Sequence, residues 1–86
     1  MPIMYCHINT FAFSQKIEIK NGNSSSTINT DMQNFIPQVL SLCQQYNIKE
    51  IHLFGLTEQI SGLEFLLRKS YLNTYNINDI RIEVNK

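Results

Sequence analysis

The side chains of this sequence best suited to chemistry are two histidines, two cysteines and seven acidic residues. His7 and His52 are the histidines, and Cys6 and Cys43 are the cysteines. A zinc site needs three or four converging ligands, and the sequence has neither a CxxC nor an HxxxH spacing. Cys6 and His7 are neighbours on a predicted strand, so their side chains should face opposite ways. The pattern predicts no metal site and no cofactor.

A cysteine nucleophile activated by histidine is a second kind of chemistry that the composition leaves open. Cys6 or Cys43 would then pair with His52, as in enzymes that use a thiolate and an imidazole. Cysteine more often packs as a small apolar residue, and Cys43 falls on the buried side of a predicted helix. Two cysteines without a spaced pattern indicate free thiols in a reducing compartment. We therefore expect a cytoplasmic protein with unreactive thiols.

A ligand site is expected, if anywhere, at the end of the predicted strand Lys49 to Phe54. Ligands of open α/β sheets bind beyond the carboxyl ends of the parallel strands. The candidate ligand-binding residues there are Gly55, Thr57, Glu58 and His52. Gly55 either lets the backbone approach a ligand or ends the strand with a positive φ. Glu58 equally suits a structural role, because an acidic residue in the first turn stabilises a helix.

Aromatic side chains form the other group of candidates. The proposed interface residues are Tyr5, Phe11, Phe13, Tyr71 and Tyr75. With His7, the first three make a platform that resembles those on which bases stack, but no basic residues flank it. Tyr71 and Tyr75 lie four residues apart late in a helix and suit the rim of a protein contact, where tyrosine is favoured. The pattern favours contact with another protein or with a second copy.

Composition excludes several function classes. The 86 residues carry seven basic and seven acidic side chains, so no net charge attracts nucleic acid or anionic lipid. A weak nucleic-acid binder stays an alternative if Lys16 and Lys20 cluster with Arg68 and Lys69. No segment has the apolar length of a membrane span or the pattern of a signal peptide. Abundant Asn, Ile, Gln, Ser and Lys suggest an AT-rich coding genome, such as that of a low-GC bacterium or its phage.

Periodicity defines the expected elements. Met4 to Lys20 alternates as a hairpin or as one long bent strand, and Asn21 to Asn29 is polar enough for a flexible loop. A helix follows, starting either at a capping box formed by Thr30 and Gln33 or, after an irregular first turn, from about Phe35 to Tyr46. Asn47 suits its C-terminal cap.

A β-α-β unit completes the chain. A strand with apolar residues on both faces, as in a strand covered on both sides, ends at Phe54. The next helix begins at Thr57 or at a second capping box on Ser61, and its buried stripe contains Ile60, Leu63, Leu67 and Tyr71. A last strand follows from Asp79 to Asn85.

These elements predict a single small α/β domain, bordering on α+β, over residues 1–86. The order is β-β-α-β-α-β, with a four-stranded mixed sheet and two helices in which strands two, three and four are parallel. The topology resembles a truncated ribonuclease H-like sheet, which implies a small or degenerate hydrolase as one alternative. Such enzymes need converging acidic groups, and the first strand carries Asn9 where an aspartate is wanted. The sequence thus favours a non-enzymatic protein-interaction module, with a regulatory or inhibitory role and a homo-oligomeric state as hypotheses.

Overall fold

The computed structural model describes residues 2–9, 11–75 and 80–85, with residues 72–75 described by their backbone alone. The elements are β1 (Ile3–His7), β2 (Gln15–Asn21), β3 (Ser24–Thr30), α1 (Phe35–Tyr46), β4 (Glu50–Phe54), α2 (Thr57–Tyr75) and β5 (Arg81–Asn85). The strands form one mixed sheet in the order β3-β2-β1-β4-β5. The predicted small domain of two helices and a mixed sheet is confirmed, but the sheet has five strands and not four.

The additional strand lies where the sequence predicted a flexible loop at residues 21–29. β3 pairs with β2 along its whole length, from Gln15 opposite Thr30 to Asn21 opposite Ser24. Gly22 and Asn23 form the turn, and Gly22 has a φ of 65°. A glycine with positive φ at the first central position is typical of a two-residue type II′ turn, whose twist suits a hairpin. The loop prediction was therefore wrong for residues 24–29.

The extra reversal of the chain changes which strands are parallel. β1 pairs antiparallel with β2, which confirms the hairpin over the single bent strand. β1 also pairs in parallel with β4, and β4 with β5. The parallel set is thus β1, β4 and β5, and the prediction that β2 belongs to it was wrong.

The core lies between one face of the sheet and both described helices. Alternate strand residues face the helices, as the two-residue period of a strand requires. The buried apolar residues are Met4, Cys6, Ile8, Ile17, Ile19, Phe35, Val39, Leu42, Cys43, Ile48, Ile51, Leu53, Ile60, Leu63, Leu67, Tyr71, Ile80 and Ile82. On α1, Leu42 is buried in this core, while Leu40 is only partly buried. The expected cover on both faces of β4 was wrong for the described residues, since both helices pack on the same face.

Local signals set the helix ends. α1 begins at Phe35, as the irregular-turn alternative predicted, which places Pro37 in the first turn, where a backbone N–H has no helical partner. The Thr30 capping box does not form; the Asp31 carboxylate accepts from the Asn34 N–H at 2.8 Å. Asn47 closes α1 in the left-handed conformation, with φ 56° and ψ 48°. α2 begins at Thr57, and neither described helix has the length and apolar character that a membrane span requires.

Candidate functional site

The loop between β1 and β2 is held in place by one buried polar side chain. Gln15, the first residue of β2, is only 1% exposed. Its Oε1 accepts from the Asn9 N–H, and its Nε2 donates to the Asn9 carbonyl at 2.8 Å and to the Ala12 carbonyl at 3.4 Å. The Asn9 side chain accepts from the Phe11 N–H at 3.0 Å, and the Ala12 N–H donates to the Asn9 carbonyl. The amide of Gln15 thus joins both ends of the loop as a short backbone bridge would.

This braced loop presents two phenylalanines to solvent. Phe11 is 87% exposed and Phe13 is 99% exposed. Leu56, which follows β4 at the same edge of the sheet, is also exposed. Burying an aromatic ring contributes about 1.5–3 kcal/mol of favourable free energy, and the two exposed rings do not make this contribution to the stability of the fold. The hydrogen bonds of Gln15 hold the backbone of Asn9 and Ala12, which lie on either side of Phe11.

The candidate ligand residues at this edge do not form one site. Gly55 has a φ of 156°, and a Cβ there would lie 2.8 Å from the Ile8 carbonyl oxygen. The glycine therefore permits the close approach of the end of β1, which is its structural interpretation. Thr57 and Glu58 are exposed in the first turn of α2. His52 lies two residues before the end of β4, on the sheet face that the helices do not cover.

That uncovered side of the sheet, which we call the open face, carries a row of stacked rings. Tyr5 stacks on His52 with centroids 5.2 Å apart, and His7 stacks on Phe54 at 5.1 Å. The Lys20 ammonium lies over the Tyr5 ring, 5.2 Å from its centroid. The platform expected from Tyr5, His7, Phe11 and Phe13 is thus half right. Tyr5 and His7 belong to it, but its other members come from β4, and both phenylalanines lie in the loop.

The polar groups of the open face are largely paired with one another. His7 Nε2 lies 2.9 Å from Glu18, which Lys16 also approaches at 3.6 Å. The hydrogen bond with His7 lowers the pKa of Glu18 below its usual value, and Lys16 and Lys20 act in the same direction. His52 lies between two carboxylates, with Nε2 2.5 Å from Glu50 and Nδ1 3.4 Å from Glu83.

The cations of the described residues do not form a single cluster. The described charged residues of the open face are Lys16, Lys20, Arg81, Glu18, Glu50 and Glu83, three of each sign. Arg68 lies instead at the far edge, where it pairs with Glu64 and donates to the Ile82 carbonyl. The cluster that a nucleic-acid site would need, of Lys16 and Lys20 with Arg68 and Lys69, is therefore not formed, because the first two lie on β2 and the last two on α2.

The cysteines sit in the core as free thiols. Cys6 and Cys43 are both buried. Burial raises the pKa of Cys43 to about 12, and it raises that of Cys6 further, with the neighbouring Cys43 acting in the same direction. In the part of the chain that the structure describes, no three His, Cys, Asp or Glu side chains are placed to hold a metal ion.

Of the two interface tyrosines predicted late in the second helix, the structure describes the side chain of one. Tyr71 is 5% exposed and packs in the core, so its proposed role on an interface rim was wrong and its place in the α2 stripe is confirmed. Tyr75 ends α2, but its side chain lies outside the described residues. Two exposed apolar neighbours on α2, Phe65 and Leu66, were not among the candidates.

Sequence reasoning missed the bracing role of Gln15 and the contribution of Phe54 to the stack. A glutamine at the start of a strand carries no local sign of burial, and Phe54 meets His7 only through the β1–β4 register. The sequence matches no protein-family model and no curated protein.

Proposed function

We propose that the chain is a non-enzymatic protein-binding module whose anchors are Phe11 and Phe13. The observation that carries the proposal is the near-complete exposure of both rings on a loop braced by the buried Gln15. Large aromatic residues dominate the energy of protein interfaces when a partner pocket buries them. A loop that is already ordered also loses little entropy on binding. A cytoplasmic location and a regulatory or inhibitory role belong to the same proposal.

The partner surface that fits this loop is an apolar pocket or pair of pockets. Phe11 and Phe13 are two residues apart, and neither they nor Ala12 between them carries a charge. The protein as a whole is also neutral, so long-range charge contributes little to partner choice. Affinity should therefore depend weakly on salt and strongly on the two rings.

The hydrolase alternative is supported by the strand order of the sheet, but the described residues lack a set of catalytic side chains that would support it. The strand order, with β2 antiparallel to its neighbours, resembles that of ribonuclease H-like sheets, but a fold does not fix a function. The open-face positions of β1 are Ile3, Tyr5 and His7, none of them a carboxylate. Glu58 stands at the carboxyl edge, while Glu18, Glu50 and Glu83 are engaged by histidines. Converging acidic groups are thus lacking among the described residues.

The test is affinity capture followed by binding measurements with the captured protein. Phe11→Ser/Phe13→Ser should weaken binding by at least about tenfold, because each interface anchor contributes more than about 1 kcal/mol. Phe65→Ser is the matched control, since Phe65 is equally aromatic, is 66% exposed, and lies on α2 away from the loop. Circular dichroism should show that both variants keep the fold.

Equal binding of the double variant and the wild type would refute the assignment of the anchors. Turnover of a substrate that Glu58→Gln or His52→Ala abolishes, with no protein captured, would favour the enzyme alternative instead.

A further inference from the structure

The two edge strands of the sheet, β5 and β3, differ in the features that protect an edge from pairing with another chain. An edge strand exposes unpaired N–H and C=O groups, and proteins usually protect it with charges, proline, a bulge or a short strand. β5 is such a protected edge. It is five residues long, it carries the ion pair of Arg81 with Glu83, and Arg68 Nη2 donates to the Ile82 carbonyl at 2.9 Å.

β3, the opposite edge, has none of these devices. It is seven residues long, its register with β2 runs without a bulge, and Ser24–Thr30 contains neither a charged residue nor a proline. Its side chains are three serines, two threonines, an asparagine and Ile28. Within the described residues, β3 pairs with β2 alone, and no backbone hydrogen bond from a loop or turn reaches its outer side.

We propose that the outer edge of β3 pairs antiparallel with β3 of a second copy. This goes beyond the proposed function, because it uses different residues from the Phe11–Phe13 loop. Pairing about a two-fold axis gives each strand a partner of equal length, and symmetric interfaces of this kind are the commonest in homo-oligomers. The absence of charge on β3 and of net charge on the protein leaves no repulsion to oppose it.

The register of this contact follows from symmetry. Full overlap of the seven residues places Thr27 opposite Thr27 of the second copy, and Ser25 opposite Asn29. Threonine and serine pairs across strands form favourable contacts on a sheet face. A strand of seven residues is about 24 Å long. One such pairing falls below the roughly 1,200 Å² that stable complexes bury, so the dimer is weak and reversible.

A positive charge introduced at the centre of β3 tests the contact between the two copies. Thr27→Lys places two ammonium groups directly opposite each other in the dimer, where like charges are unfavourable. In the single chain the same lysine faces Glu18 across the β2–β3 pair, so the fold is retained. Sedimentation equilibrium at up to about millimolar concentration should show a dissociation constant raised about fivefold. Ser61→Lys, an exposed position on α2, is the control that should leave it unchanged.

Cross-linking tests the register independently. Thr27→Cys should form an intermolecular disulfide on mild oxidation, since the Cα atoms of directly opposite residues are about 4.5–5.5 Å apart, within the range that a disulfide spans. Ser25→Cys lies on the same face of the strand, but its copy would be four residues away, well beyond the roughly 7 Å limit between bridged Cα atoms. It should remain largely uncross-linked. Cys6 and Cys43 are buried and do not interfere.

The proposal would be overturned by a monomer at every concentration, by equal cross-linking of both cysteine variants, or by an unchanged dissociation constant for Thr27→Lys. Loss of the dimer in Phe11→Ser/Phe13→Ser would also overturn it and assign self-association to the aromatic loop. Conversely, failure of the β3 contact leaves the affinity measurements on the aromatic loop unaffected.

Discussion

Substitutions of Gln15 can show how much of its contribution to stability comes from its hydrogen bonds to the aromatic loop and how much from core packing. The Gln15 amide is buried and pairs with both the N–H and the carbonyl of Asn9, with a third bond to Ala12. Gln15→Met keeps the length and most of the volume of the side chain but removes every one of these hydrogen bonds. Gln15→Glu keeps the shape, but it replaces the Nε2 donor with an oxygen that faces the Asn9 carbonyl.

The expected losses follow from what each variant leaves unpaired. A hydrogen bond contributes about 0.5–1.5 kcal/mol net, so loss of the two short bonds with Asn9 in Gln15→Met should lower the free energy of unfolding by about 1–3 kcal/mol. Gln15→Glu should cost more at neutral pH, about 3–5 kcal/mol, because it buries a carboxylate with one oxygen against the Asn9 carbonyl. Both values are large against the roughly 5–15 kcal/mol of a typical domain.

The two variants should also respond differently to pH. Burial raises the pKa of the introduced carboxyl above its unfolded value, which is about 4.3 for glutamate. The folded state then binds the proton more tightly than the unfolded state. The deficit of Gln15→Glu relative to wild type should therefore be small below about pH 4 and grow as the pH rises. The deficit of Gln15→Met should not depend on pH.

Urea denaturation followed by circular dichroism at pH 4 and pH 7 measures these differences, and amide exchange at Asn9 and Ala12 locates them. Faster exchange at Ala12 in Gln15→Met is expected, since its N–H donates to the Asn9 carbonyl that Gln15 fixes. A Gln15→Met loss under about 0.5 kcal/mol, the range of ordinary surface changes, would refute the bracing role. So would a Gln15→Glu deficit that stays constant between the two pH values.

Two further predictions concern the core. Leu67→Ala should lower the free energy of unfolding by about 2–5 kcal/mol, because it empties a buried site on α2. The adjacent, half-exposed Leu66 supplies the control, since Leu66→Ala should change it by less than about 0.5 kcal/mol; equal losses would mean that the buried side of α2 is misplaced. Brief alkylation of native protein near pH 8 should leave Cys43 and Cys6 unlabelled, because burial raises both pKa values and little thiolate is present. Mass spectrometry checks this against urea-unfolded protein, and rapid native labelling or a Cys6–Cys43 bridge would contradict it.

The elements that sequence alone predicted are those with strong local signals. Proline is tolerated in the first turn of a helix, and Pro37 occupies that turn because α1 begins at Phe35. Asn47 marked the end of α1 because asparagine tolerates the left-handed conformation. β4, α2 and β5 combine apolar periodicity with Gly55 as a strand end, and all were found.

β3 escaped prediction because an edge strand needs little apolar surface. Ile28 is its sole apolar residue, and the run Ser24–Thr30 has the composition of a loop. The pair Gly22–Asn23 is a recognised hairpin-turn signal that the polarity of the segment outweighed. Missing one strand reversed the expected direction of β2 relative to β4. A predicted strand direction is correct only if every strand is identified. Short polar strands such as β3 are the hardest to identify because they lack the apolar alternation of a buried strand.

The candidate site was predictable in some of its residues but not in its grouping. Tyr5, Phe11 and Phe13 were identified from residue type, but only the strand pairing separates Tyr5, which stacks on β4, from the two loop phenylalanines. His52 was assigned to the carboxyl edge together with Gly55, Thr57 and Glu58. Its side chain instead points to the open face, because residues two apart share a face and His52 aligns with Phe54.

The open face, the aromatic loop and the β3 edge differ in what a partner would have to displace. On the open face, His7 is bonded to Glu18 and His52 to Glu50, while the rings stack on each other. A partner there would break these pairs and desolvate their charges before gaining anything. Phe11 and Phe13 contact only water over most of their surface, and the outer groups of β3 have water as their alternative partner. Contact at these two places displaces water without breaking a protein interaction, which favours them over the larger open face as the sites of recognition.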